Sequence, residues 1–123
     1  MSNITVRYIV HDVDAAVAFY TGQLGFVVKQ QFGPNIAILT RDALTLWVAG
    51  PGASASRPMP DGRRPEPGGW NRFVLEVDDL EKVVRAMRAD GASFRNDIVE
   101  GPGGKQILCE DPSGNVIELF EPA

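Results

Sequence analysis

The hydrophobic positions change period in the same order twice along the chain. Residues 5–10 are rich in β-branched and aromatic side chains, which predicts a strand. From Asp12 to Leu24 the apolar residues fall at helical spacing, with Asp12 suited to the N-cap and Gly25 to the C-terminal stop. Three further strands are predicted, the last two as a hairpin, over residues 26–32, 36–40 and 44–48.

The same order of elements recurs in the second half. A strand is predicted over residues 72–77, followed by apolar residues at helical spacing from Leu80 to Met87 and a stop at Gly91. Strands are then predicted over residues 93–99, 105–110 and 116–120. Matching Asp79 to Asp12 aligns the two halves at 79 − 12 = 67 residues. The pattern therefore predicts an α+β fold of two tandem β-α-β-β-β modules.

A segment rich in proline and glycine separates the two modules. Its composition excludes a helix or a central strand over residues 51–69. A loop of this length in a small domain is usually a lid, a binding loop or a linker, and both a lid and a linker remain open. We expect one domain, 1–123, with module one at 1–50, the loop at 51–69 and module two at 70–123.

The last strand carries a carboxylate among apolar residues. Residues 111–115 have the composition of a turn, and Glu118 follows within the run Val116 to Phe120. Because neighbouring side chains of a strand point to opposite sides, Glu118 points away from Ile117 and Leu119. If those two residues lie in the core, Glu118 faces a different environment. What the carboxylate contacts there is the question on which the function depends.

Composition narrows the class of protein. The 123 residues are 44% hydrophobic and 23% charged, which suits one globular domain with its own core. A net charge of −4 argues against nucleic acid or anionic membrane as partners. No apolar run of about 18 residues and no signal-peptide pattern is present, so we expect a cytoplasmic protein. The single cysteine, Cys109, is predicted to be an inert structural thiol.

Several motifs are spread over nearly the whole chain. They are Val10-His11-Asp12 with Ala18-Phe19-Tyr20 and Leu24-Gly25-Phe26, then Leu75-Glu76-Val77-Asp78-Asp79-Leu80, and finally Glu110-Asp111-Pro112-Ser113-Gly114-Asn115 with Ile117-Glu118-Leu119-Phe120. As a set these motifs resemble those of the vicinal-oxygen-chelate superfamily, which includes glyoxalase I, bleomycin-resistance proteins, fosfomycin-modifying enzymes and extradiol dioxygenases. The resemblance implies curled mixed sheets that enclose a shared cavity, in a homodimer whose cavities can be shared between chains. Enzymes and binding proteins both occur in this superfamily, so the fold does not decide the activity.

The resemblance also implies four positions for metal ligands. In this chain they are occupied by Thr5, Trp47, Arg72 and Glu118. Only Glu118 is a good ligand, whereas a catalytic divalent ion needs about three protein ligands. The only histidine, His11, lies at a strand-to-helix junction that the family does not use for metal. We therefore expect no metal and no other cofactor, and we expect Arg72 to pair with Glu118 so that neither charge is buried alone.

Strand alternation and the loop supply the remaining candidate residues for ligand binding. The predicted ligand-binding set is Thr5, Arg7, Ile9, Trp47, Met59, Trp70, Arg72, Val74, Glu76, Glu118 and Phe120. Trp47 is either a stacking surface or plain core, and Trp70 is either a pocket wall or an anchor for the loop. Aromatic and aliphatic surface with a few charged groups suits a large, flat organic ligand.

Two functional hypotheses follow. The first is a metal-free protein that sequesters a hydrophobic or aromatic small molecule, similar to the branch of the family that confers antibiotic resistance by binding the drug. The second is an enzyme, namely a lyase, isomerase or dioxygenase with an altered or absent metal site, in which Glu118 or Glu76 acts as the base. No catalytic residue is assigned under the first hypothesis.

Overall fold

The computed structural model describes residues 4–123, and the first three residues of the predicted domain lie outside the described part. The chain has an α+β fold, as predicted, and divides into two compact units, the first ending at Gly68 and the second spanning Gly69–Ala123. The division lies one residue before the predicted end of the loop. No helix of the described residues is long and apolar enough to cross a membrane.

The first unit is a four-stranded sheet with one α-helix. Its strands lie in the order β1-β4-β3-β2, with β1 parallel to β4 and the other pairs antiparallel. The elements are β1 Thr5–Ile9, α1 Val13–Leu24, β2 Val27–Phe32, β3 Ile36–Arg41 and β4 Leu44–Ala49.

Both predicted ends of α1 are confirmed. The Asp12 side chain accepts a hydrogen bond from the Ala15 backbone N–H at 3.1 Å, which satisfies one of the free donors of the first turn. Gly25 ends the helix in the left-handed conformation, with φ of 72°, which glycine adopts without steric cost. Tyr20 on the buried side makes edge contacts with the rings of Phe19 and Phe26.

The second unit repeats this plan with one strand interrupted. Its sheet has the order β5-β9-β8-β6, and β7 also pairs with β8. The parallel pair is again the first and last strands, β5 and β9. The elements are β5 Val74–Glu76, α2 Leu80–Ala89, β6 Ser93–Phe94, β7 Val99–Gly101, β8 Gly104–Glu110 and β9 Val116–Pro122.

The internal repeat is confirmed at the level of single atoms and of strand register. Asp79 caps α2 by accepting from the Lys82 backbone N–H at 3.1 Å, as Asp12 does for α1. Arg7 lies opposite Trp47 in β1 and β4, and Val74 lies opposite Glu118 in β5 and β9. The separation 74 − 7 is again 67 residues. Trp47 and Glu118 therefore occupy equivalent positions, as the sequence match predicted.

Three predicted elements need correction. The continuous strand over residues 93–99 is wrong: the ladder breaks between β6 and β7, where the Asn96 side chain accepts the Leu108 backbone N–H at 3.0 Å in place of a strand carbonyl. The strand predicted over residues 72–77 is shorter and begins at Val74. The loop contains a short 3₁₀ helix, Ser54–Ser56, because its i→i+3 bonds need only a few residues free of proline.

We predict that Gly50→Ala destabilises the first unit by about 1–3 kcal/mol, the usual cost of overpacking. A Cβ atom at Gly50 would lie 2.7 Å from the Pro34 carbonyl oxygen and 2.9 Å from Cγ2 of Val13. The control is Gly22→Ala in α1, where a Cβ meets nothing within 4 Å and alanine favours the helix. Urea unfolding should give opposite signs for the two variants, and equal stability of Gly50→Ala and wild type would contradict the steric argument.

Candidate functional site

A nearly buried carboxylate at the centre of the last strand forms an ion pair with an arginine whose side chain is 30% exposed. Glu118 is 9% exposed, and its Oε1 atom accepts from Nε and Nη2 of Arg72 at 3.0 and 2.9 Å. The third guanidinium nitrogen, Nη1, donates to the backbone carbonyl of Trp70 at 3.3 Å. The predicted pairing of Arg72 with Glu118 is confirmed.

Strand alternation explains why this carboxylate needs a partner. Ile117 and Leu119 are fully buried on one side of β9, so Glu118 projects from the other side. Its backbone N–H donates to the carbonyl of Phe73 at 3.1 Å, which brings the first residues of module two alongside β9. Arg72 immediately precedes Phe73, so this contact places the guanidinium within reach of the carboxylate.

A second arginine–carboxylate pair lies on the same side of the sheet. Glu110 is paired with Val116 in the β8–β9 register, and residues that face each other across the ladder project to the same side, as Val116 and Glu118 do. Oε2 of Glu110 accepts from Nε of Arg95 at 3.0 Å. The sequence did not identify Arg95 or Glu110 as site residues, because Arg95 lay within a predicted continuous strand.

Arg95 connects three separate segments of the second unit. In addition to the bond with Glu110, its Nη1 donates to the Gly69 carbonyl at 2.7 Å and its Nη2 to the Gly114 carbonyl at 2.9 Å. The centre of its guanidinium lies 4.6 Å from the ring centroid of Trp70, a cation–π contact. The Trp70 side chain itself is strongly exposed, at 68%.

Hydrogen bonds among its own residues close the turn before β9. Oδ1 of Asp111 accepts from the backbone N–H groups of Ser113 and Asn115 at 2.8 and 2.9 Å, and its Oδ2 accepts from the Asn115 side chain at 3.0 Å. Gly114 adopts a φ of 86°, as the turn chemistry predicts. The Gly114 carbonyl accepts a hydrogen bond from Arg95. The turn at residues 111–115, the most recognisable motif of the sequence, therefore positions Arg95 rather than a ligand.

In the first unit, Trp47 and Arg7 lie side by side on one side of the sheet. The guanidinium carbon of Arg7 is 4.9 Å from the Trp47 ring centroid, and the two residues are register partners. Leu46 and Val48 are fully buried on the opposite side. Trp47 is only partly buried, so it is not plain core of the first unit.

The remaining predicted site residues have mixed exposure. Thr5, Val74 and Glu76 are exposed, whereas Ile9 and Phe120 are partly buried. Met59 is 44% exposed, and its backbone N–H closes a tight turn on the Arg63 carbonyl at 2.7 Å. Contact of these residues with a ligand stays a prediction.

The four family positions do not form a metal site in this chain. Thr5 offers a hydroxyl, Trp47 no ligand atom and Arg72 only donors. The one anionic oxygen donor, Glu118, has its Oε1 bound by the guanidinium of Arg72. Within residues 4–123, no three His, Cys, Asp or Glu side chains come together in a metal-binding group. His11 is exposed next to the N-cap of α1. This donor set does not suit a divalent cation.

The chain belongs to the Glyoxalase/Bleomycin resistance protein/Dioxygenase superfamily, whose family model matches residues 4–119. No protein with a curated description matches the chain. Many solved structures do, among them a member of the same superfamily from Sphaerobacter thermophilus DSM 20745, with 26% identity, 98% of this chain and 97% of that chain covered, and a TM-score of 0.76.

Two other similar structures have named activities. A lactoylglutathione lyase from Agrobacterium tumefaciens is 21% identical, covers 98% of this chain and 92% of its own, and has a TM-score of 0.76. TnmS3, an antibiotic binding protein from Streptomyces sp. CB03234, is 22% identical, covers 100% of this chain and 97% of its own, and has a TM-score of 0.75. At these identities the likeness establishes the fold.

We predict that Arg72 and Glu118 are energetically coupled by about 1–3 kcal/mol in a double-mutant cycle of Arg72→Met and Glu118→Gln. Loss of Arg72 alone leaves a nearly buried carboxylate without its partner. The double variant has no carboxylate at position 118 and therefore does not have this cost. Urea unfolding of the four proteins measures the coupling. The exposed pair of Arg63 and Asp61, with side chains 83% and 54% exposed, is the control and should show a smaller coupling. Additive effects of Arg72→Met and Glu118→Gln would show that the contact does not contribute to the free energy of unfolding.

We predict that Cys109 does not react with a disulfide-exchange reagent at pH 8 while the protein is folded. The thiol is fully buried, and burial raises its pKa to about 12, so the reactive thiolate is essentially absent at that pH. Unfolding in urea should restore full labelling, and all signal comes from Cys109 because it is the only cysteine. Rapid labelling of the folded protein would reopen a nucleophilic role.

Proposed function

We propose that this protein binds and sequesters a flat, hydrophobic aromatic small molecule such as an antibiotic, without a metal, and acts as a homodimer. The observation that carries the proposal is the Arg72–Glu118 pair. Among the four family positions for metal ligands, Glu118 is the best donor, and the Arg72 guanidinium binds it at 2.9 Å. At the equivalent position of module one the chain has the indole of Trp47. The residues at the four family positions do not supply the donor atoms that a metal-dependent reaction requires.

The two tryptophans of the chain support binding of an aromatic compound, and one of them, Trp47, occupies a family position for a metal ligand. Trp47 and Trp70 are both tryptophans whose rings are not buried in the core of their own unit, and each has an arginine against its ring. Aromatic rings supply a large contact area at low conformational cost, which suits recognition of flat molecules. TnmS3, an antibiotic binding protein with a similar fold, agrees with this proposal.

An enzymatic function remains the second candidate, and one observation favours it. Both bonds from Arg72 reach Oε1 of Glu118, so Oε2 lies outside the ion pair and can accept a proton or a hydrogen bond from a bound compound. The alternative is also supported by the likeness in fold to a lactoylglutathione lyase. In this chain such chemistry would have to proceed through the carboxylate alone.

The two candidates differ in metal content and in turnover. Under our proposal, elemental analysis of the purified protein finds no stoichiometric divalent metal, and chelator treatment leaves ligand binding unchanged. A panel of antibiotics and polycyclic aromatics, screened by thermal shift, should contain compounds that raise the melting temperature, because a ligand that binds only the folded state stabilises it. Stoichiometric metal whose removal abolishes a reaction would overturn the proposal.

We predict that Trp47→Ala weakens binding of a compound found in that screen by about 1–3 kcal/mol, the range expected for loss of a large aromatic contact. Trp47→Phe is the matched control, because it keeps a ring against Arg7 and should retain most of the affinity. Isothermal titration calorimetry measures both. Unchanged affinity in Trp47→Ala would exclude Trp47 from the binding surface.

A further inference from the structure

We propose that Arg95 is a positioning residue that presents the indole of Trp70 as a stacking platform for a flat aromatic ligand without positive charge. This inference rests on the proposed function and adds to it a specific surface, a positioning residue and a charge class of ligand. Every residue that carries it belongs to the second unit, Gly69–Ala123.

Arg95 is held in place more firmly than a surface arginine. Its side chain is only 16% exposed, and its three nitrogen atoms each donate one hydrogen bond, to Glu110, Gly69 and Gly114. Two of these acceptors are backbone carbonyls on different segments, which fixes both the position and the plane of the guanidinium. The side chain therefore has one available orientation.

Trp70 rests on this fixed plane and is held from its backbone as well. The guanidinium carbon of Arg95 lies 4.6 Å from the centroid of the Trp70 ring, and Nη1 of Arg72 bonds the Trp70 carbonyl. Gly69, directly before Trp70, is bound by Arg95 itself. An exposed tryptophan normally samples several rotamers, and these contacts select one of them before any ligand binds.

An exposed, immobilised aromatic ring is an unusual feature of a folded chain. Trp70 is 68% exposed, although burial of a ring of this size is favourable. Arginine can cover only one face of the ring. The rest of the ring surface is presented in a fixed orientation, which is the property that a stacking platform requires.

The charge beneath the ring determines which ligands this platform favours. A cation over one face attracts the π electrons of the indole and leaves the opposite face less negative. A cationic aromatic on that opposite face meets a weakened quadrupole and the positive charge of Arg95 behind it. Neutral and anionic aromatics do not have this cost, so we expect the platform to discriminate by ligand charge rather than by shape.

The first test compares two flat three-ring probes, anthraquinone-2-sulfonate, which is anionic, and 9-aminoacridine, which is cationic at neutral pH. Wild-type protein should bind the anionic probe at least about tenfold more tightly, equal to about 1.4 kcal/mol. Trp70→Ala should lose about tenfold in affinity for it, and Trp70→Phe should recover most of that loss. Because Trp70→Ala removes a mostly exposed side chain, it keeps the fold even if Arg95 variants do not.

The second test needs no ligand. In a Trp47→Phe background Trp70 is the only tryptophan, since the chain has two, and its fluorescence anisotropy reports the mobility of that ring. Arg95→Gln should lower the anisotropy. Arg88→Gln is the matched control, because Arg88 lies 4.8 Å from the ring of Phe94 in the same unit but does not contact Trp70, and it should leave the signal unchanged.

The outcomes separate this inference from the proposed function. Binding of a flat aromatic that survives Trp70→Ala but is lost in Trp47→Ala would overturn the inference and leave the proposed function intact. Equal affinity for the two probes would overturn the charge selection. If wild-type protein bound neither probe nor any screened compound, the proposed function would fail, and unchanged anisotropy in Arg95→Gln would separately refute the positioning role.

Discussion

A carboxylate in the middle of a buried strand is the constraint on which the second unit depends. Glu118 is 9% exposed, and a buried ion without a partner costs several kcal/mol of desolvation. The backbone bond from the Glu118 N–H to the Phe73 carbonyl holds the chain before β5 against β9, and Arg72 in that segment supplies the partner at 2.9 Å. The same guanidinium donates to the carbonyl of Trp70, two residues before Arg72. The ion pair and the backbone bond together order the start of the second module.

The second arginine extends this order to the far edge of the same sheet. Arg95 joins Glu110 at the end of β8, Gly114 in the turn and Gly69 at the start of the unit. The turn that makes the family recognisable thus has a structural role, since its Gly114 carbonyl accepts a hydrogen bond from Arg95. Each guanidinium has its own carboxylate partner, and that of Arg95 lies against one face of the Trp70 ring.

The two modules share the same backbone arrangement but carry different side chains on the surface of their sheets. The caps at Asp12 and Asp79 and the register of the parallel strands are the same, so the backbone frame is repeated. At the equivalent position one module carries Trp47 and the other Glu118. The frame depends on buried apolar residues that alternate in the sequence, whereas these projecting residues are free to differ. That freedom explains why membership of the superfamily does not decide the activity.

The sequence by itself determined the repeat, the helices with their caps and most strands, because each depends on local periodicity. The pairing of Arg72 with Glu118 was predicted because the family resemblance places both residues at positions for metal ligands. It failed at residues 95–98, where a side chain of Asn96 replaces a ladder carbonyl, and at the loop, where a 3₁₀ turn forms locally. Only the tertiary structure brought together Arg95, Glu110, Gly114 and Trp70. Their contacts join segments up to 26 residues apart, and no periodic pattern encodes which carbonyl a long side chain reaches.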